Sequence, residues 1–206
     1  MDHVAAVVTH EFPDRRVASV TPARQGNHKR TEIVHFADGG SVVVQVSTDV
    51  DAVHLETSLA QAVQERTSIP VPSVLSTGTV ADRGYAVVEY ATGSELHEQF
   101  VRLDTPTQHD VARTFGRGLA ELHDSFALDG YGSVRATATG ATVDFRATEA
   151  TDWPTWFSTY VREGIDALPP VFDPIRDQLV AAVEAASLPE MPPSTLYPWD
   201  FRPGNA

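Results

Sequence analysis

Short alternations of apolar and polar positions fill the first half of the chain. Ser41-Val42-Val43-Val44-Gln45-Val46 is a β-branched run that follows Ala37-Asp38-Gly39-Gly40, a hairpin turn signal. Thr31 to Phe36 is its natural partner strand. A helical period replaces the alternation over Val53 to Arg66, where Leu55, Leu59, Ala62 and Val63 share one face. The prolines of Ile69-Pro70-Val71-Pro72-Ser73-Val74 exclude helix there, because each removes a backbone donor and restrains the residue before it. Two further strands are predicted, Val74 to Thr79 and Gly84 to Tyr90.

Past Gly93 the period is helical. Phe115, Leu119 and Leu122 recur at helical spacing within Val111 to Phe126, and Gly130-Tyr131-Gly132 breaks the run. Residues 134–151, rich in Ala, Thr and Gly, read as a surface loop. Trp153 to Leu168 and Pro174 to Ala186 are further helices, separated by Pro169-Pro170 and followed by the prolines between 189 and 193. No internal repeat is present. The predicted fold class is α+β: a β-rich lobe with one helix over residues 1–93, then a mainly α-helical lobe over residues 94–206.

Composition narrows the field. With 42% hydrophobic and 21% charged residues, the 206-residue chain can build a core. It has no cysteine, so disulfides, thiolate metal sites and cysteine nucleophiles are excluded. No apolar run approaches the roughly 18 residues of a membrane span, and the start lacks the pattern of a signal peptide. The formal charge of −13 repels phosphate backbones and acidic lipid, which argues against nucleic acid and membrane as partners. Lys29 is the one lysine against fourteen arginines. An acidic surface almost without lysine is expected of a cytoplasmic protein adapted to high salt, the alternative being an ordinary acidic protein with an arginine-rich genome bias.

The chemistry gathers at the end of the chain, in Tyr197-Pro198-Trp199-Asp200-Phe201-Arg202-Pro203-Gly204-Asn205-Ala206. A carboxylate and an amide across a Pro-Gly turn suit phosphoryl transfer: Asp200 can orient or deprotonate an acceptor hydroxyl, and Asn205 can ligate a divalent metal. Alone, the same residues also describe a proline-led turn. Upstream, Arg24-Gln25-Gly26-Asn27-His28 falls between the first predicted strands, where a glycine-containing loop could cover phosphates or simply close a hairpin. Glu56 lies early in the first predicted helix, and Glu89-Tyr90-Ala91-Thr92-Gly93 leaves the last strand of the β-rich part. No His-Glu-x-x-His set and no Gly-x-Ser-x-Gly elbow occurs.

Together, in order and spacing, these segments and Leu119-Ala120-Glu121-Leu122-His123 resemble the aminoglycoside phosphotransferase and choline-kinase-like family, with its protein-kinase-like two-lobed fold. The resemblance runs from about Val17 to Ala206. It implies phosphorylation of a hydroxyl on a small-molecule acceptor, with ATP or GTP and Mg2+ as cofactors. Asp200 takes the position of the catalytic aspartate and Asn205 that of the metal-binding asparagine. Gly26 and Asn27 fall in the phosphate-covering loop, Glu56 at the helix glutamate, and Glu89, Tyr90 and Ala91 at the base-contacting linker. His123 matches a histidine expected to pack rather than to react.

Departures accompany the resemblance. Gln45 stands where a phosphate-binding lysine is expected, and it brings no charge to pair with Glu56. Lys29, directly after the loop, could reach the phosphates from above; as a plain surface lysine it would not matter. Pro198 and Trp199 replace the histidine and small residue expected before Asp200. The family's second metal-binding aspartate and acceptor-binding helices would follow Asn205, and the sequence stops at Ala206, so the second lobe is expected to be incomplete. The rival expectation is a pseudokinase-like module that binds nucleotide or protein without transferring phosphate.

Overall fold

The computed structural model describes residues 2–23, 29–139, 142–147 and 152–198. The chain forms two compact units, one built on the residues up to Glu121 and one on Leu122–Tyr197.

In the first unit the elements follow as α1 (His3–Glu11), β1 (Val17–Pro22), β2 (Arg30–Phe36), β3 (Ser41–Ser47), α2 (Val50–Arg66), β4 (Val74–Val80), β5 (Arg83–Glu89), α3 (Leu96–Phe100) and α4 (Thr105–Ser125), whose last residues belong to the second unit. The strands make one sheet in the order β1-β2-β3-β5-β4, antiparallel throughout. The hairpin predicted over 31–46 pairs Ile33 with Val43 and Thr31 with Gln45. Its turn uses Gly39 and Gly40, both at positive φ, which a side chain would disfavour.

Alternation assigns the two faces of this sheet. Val42, Val44 and Val46 are buried with Val34, Phe36, Tyr85 and Val87 against Val4, Val7 and Val8 of α1. Each fully buried valine contributes roughly 1.5 kcal/mol or more. The first lobe therefore carries a second helix where the sequence predicts one. Its apolar residues, Val4 to Val8, run almost without interruption and show no helical period. The local sign of this helix is Asp2, whose carboxylate accepts from Val4 N at 3.2 Å and caps the first turn.

The other face is held by α2. Its cap is Asp49, accepting from Ala52 N at 2.9 Å, so the helix starts three residues before the predicted Val53. It lies close because Gly84 has no side chain: a Cβ there would come within 2.9 Å of the Val50 Cα. Helix α4 likewise begins earlier than predicted, at Thr105, capped by Asp104 accepting from Thr107 N at 3.0 Å. Its polar first turns hide it from a search for an apolar stripe. Glu121 on α4 accepts from both Ser68 N (2.6 Å) and Ser68 Oγ (2.8 Å), which anchors the turn after α2.

The second unit contains β6 (Val134–Thr139), β7 (Thr142–Ala147), α5 (Trp153–Asp166), a 3-10 turn at Pro170–Ile175 and α6 (Arg176–Glu184). Within residues 134–151, read as loop, Val134–Thr139 and Thr142–Ala147 pair antiparallel, with Val134 opposite Ala147. Pro174 sits in the 3-10 turn rather than in the helix predicted from it, since its ring suits a tight turn better than a helix interior. Arg176 donates to the carbonyls of Ile165 and Leu168 and so satisfies the C-terminal end of α5. The Trp153 ring packs on Tyr131 (5.2 Å) and stacks on Phe157 (5.1 Å). Among the described residues no helix is long and apolar enough to cross a membrane.

Candidate functional site

The α2 face of the sheet is the candidate site. Cross-strand pairing lines up Ile33, Val43 and Val88 in one row, each only half-buried. These three side chains point away from the α1 core because their neighbours Val34, Val42, Val44 and Val87 fill it. The next row along the strands is Thr31, Gln45 and Ala86. Ile33, Val43 and Val88 therefore make a small apolar floor bordered by Gln45. Sequence reading missed this row, although the period-2 alternation around position 43 carries the signal.

One border of the floor is charged. Lys29 stands just before β2, and its ammonium forms an ion pair with Glu56 of α2. The Lys29 side chain is 18% exposed and that of Glu56 54%. Burial pulls the Lys29 ammonium below the ordinary lysine value. The helix carboxylate expected to face an uncharged Gln45 thus has a cation, delivered by the residue just before β2.

The opposite border is the exit of β5. Glu89 N donates to the Ser73 carbonyl at 2.9 Å, and Ser73 N donates to Glu89 Oε2 at 3.4 Å. Tyr90 packs edge-on against His35 at 6.2 Å, and His35 Nδ1 lies 2.7 Å from Ser41 Oγ. Glu89, Tyr90 and Ala91 are exposed, while the segment leading into them is pinned to β2, β3 and the start of β4. An apolar floor with a cation at one end and an exposed strand exit at the other suits a flat aromatic group carrying an anionic tail.

Of the residues singled out from sequence, Lys29 and Glu56 pair, Gln45 lies in the row next to Ile33, Val43 and Val88, and Glu89 ends β5 with Tyr90 and Ala91 following it. Gly26, Asn27, Asp200 and Asn205 lie outside the described residues, as do Trp199 and Ala206. Among the described residues no group of three or more His, Asp or Glu could hold a metal ion. His123 has its Nε2 buried without a hydrogen-bond partner among the described residues, and its carbonyl accepts from Thr195 Oγ1 at 3.0 Å. A groove of about 490 Å3 lies elsewhere, on the α1 face, between Val8 and Phe12 of α1 and Val17 and Val20 of β1. None of the singled-out site residues lines it.

A five-stranded antiparallel sheet with helices, followed by a mainly helical unit, is a fold shared with solved structures. A fructosamine-3-kinase-like protein from Haemophilus somnus 129PT superposes with TM-score 0.55 at 17% identity, over 87% of this chain and 59% of its own. One from Thermobifida fusca YX-ER1 gives 0.52 at 22%, over 94% and 65%. A thermostable mutant of aminoglycoside phosphotransferase APH(4)-Ia, in complex with ADP and hygromycin B, gives 0.59 at 16%, over 91% and 61%. The chain spans about three fifths of the length of these structures. No curated protein matches it. Residues 19–206 match the profile of the phosphotransferase enzyme family, and the chain belongs to that family.

Proposed function

We propose that the chain serves transfer of a phosphoryl group from ATP or GTP to a hydroxyl of a small-molecule acceptor. The observation that carries this is the half-buried Ile33–Val43–Val88 floor, with the Lys29–Glu56 pair at one end and the Glu89–Ala91 exit at the other. A purine fits the floor, and backbone groups of Glu89 to Ala91 can meet its edge. The phosphates then run toward Lys29, with Gly26 and Asn27 in the loop above them. Asp200 orients the acceptor hydroxyl and takes its proton as the oxygen attacks. Asn205 is the residue to hold Mg2+, which when bound neutralises phosphate charge. ATP, GTP and Mg2+ are cytoplasmic supplies, so the reading places the chain there.

Incubating the full chain with ATP or GTP, Mg2+ and a panel of sugars, amino alcohols and aminoglycosides tests this. Acceptor-dependent ADP or GDP release is expected, falling by roughly 100-fold or more in Asp200→Asn. Release that needs no acceptor, or that is unchanged in Asp200→Asn, contradicts it. The uncharged Gln45 favours a second reading, a module that binds nucleotide without turnover. Nucleotide binding with no release for any acceptor would select that reading.

A further inference from the structure

We infer that Lys29 is the cation that holds the nucleotide phosphates in this chain, with Glu56 as its positioning partner, and that Gln45 is only a neutral neighbour. The inference rests on the nucleotide-binding reading of the same face.

Sheet geometry places the charge. Thr31 is directly opposite Gln45. Lys29 directly precedes β2, and its ion pair with Glu56 of α2 puts its ammonium on the α2 side of the sheet, the side of Gln45; positions two residues along an antiparallel pair are roughly 7–8 Å apart. A lysine stem covers such a distance, so its ammonium can occupy the space in front of position 45 without belonging to β3.

The burial is lopsided in a telling way. A lysine in an ordinary surface pair keeps its head in water and gains little from its partner. Here the lysine is the buried member, 18% exposed, and its carboxylate is the open one at 54%. Burial disfavours the Lys29 charge, and Glu56 offsets only part of that cost. An incoming phosphate would supply the further negative charge this ammonium lacks.

Among the described residues, three arginines of the sheet-bearing unit are already paired. Arg15 chelates Asp38, Arg30 pairs with Asp2 and Glu32 on the α1 side, and Arg83 pairs with Asp82. Residue type also fits the task. Fourteen of the fifteen basic residues are arginine, whose planar fork favours one fixed bidentate partner. Position 29 carries the single ammonium, a compact charge that can turn from carboxylate to phosphate while staying in contact with both.

Titration calorimetry with MgATP and with adenosine, on the full chain, separates the possibilities. Lys29→Gln should weaken ATP at least about tenfold, as loss of a charge-assisted phosphate contact would, and leave adenosine unchanged. Glu56→Gln should weaken ATP in the same selective way, leaving adenosine unchanged. The double variant Lys29→Gln with Gln45→Lys should recover part of the loss, because it returns the cation to the strand centre. If wild type binds ATP and Lys29→Gln binds it equally well, the inference fails alone. If Lys29→Gln weakens ATP and adenosine alike, the residue is structural and the inference also fails. If wild type binds neither ATP nor GTP, the nucleotide reading fails and takes the inference with it.

Discussion

Tyr85 shows how one side chain ties the sheet to α1. It is 3% exposed, it fills the space left by Gly78, and its hydroxyl donates to Glu11 at the end of α1. Burial, together with that carboxylate, pushes the phenol up to about 12. Because the folded value lies above the unfolded one of 10, this contribution is full below pH 10 and is lost as pH rises toward 12. The chain should therefore lose stability over that window, and Tyr85→Phe should flatten the loss when melting temperature is followed against pH. At neutral pH the same substitution should cost about 1 kcal/mol in chemical denaturation, for the abandoned Glu11 acceptor. At this scale the sequence was partly legible. Glu56 and Lys29 stand out by type and position, but their pairing does not. It depends on the β2–β3 register and on how closely α2 approaches, neither of which a linear pattern states.

Helix α2 is the element on which the site depends, and Gly84 sets its distance. Gly84→Ala would drive a methyl into the Val50 backbone, so the helix must shift. We expect a destabilisation of roughly 1–3 kcal/mol by denaturant titration. A matching loss of ATP affinity is expected, because Glu56 moves with the helix. Asp49→Ala should cost about 1 kcal/mol through the lost cap, by the same titration. Strands β2 to β5 and α2 were readable because their apolar residues alternate, or recur at helical spacing, along one face. What escaped had a different physical cause each time. In α1 the valines and alanines are too continuous to show a period. In the first turns of α4 there is no apolar residue to register, and Asp104 with Pro106 was the available sign. In the β6–β7 pair, alternate positions are small or hydroxylated, so strand and loop compositions look alike.

For the whole molecule, charge and chain order matter most. A formal charge of −13 repels itself, so added KCl should raise the melting temperature as screening sets in. A fall in melting temperature with salt would instead mean that surface pairs such as Arg15–Asp38 outweigh the net repulsion. Motif order, from the loop near Gly26 to Asn205, made the family legible before any coordinates, and the profile match over residues 19–206 agrees with it. The base-binding floor was not legible in that order, because Ile33, Val43 and Val88 are ordinary strand residues until pairing aligns them. The most direct test of the account is binding of ATP and GTP to the full chain, by calorimetry with and without Mg2+. Saturable binding of at least one nucleotide, tightened by Mg2+, is the predicted result. Failure of both nucleotides to bind in either condition would contradict it.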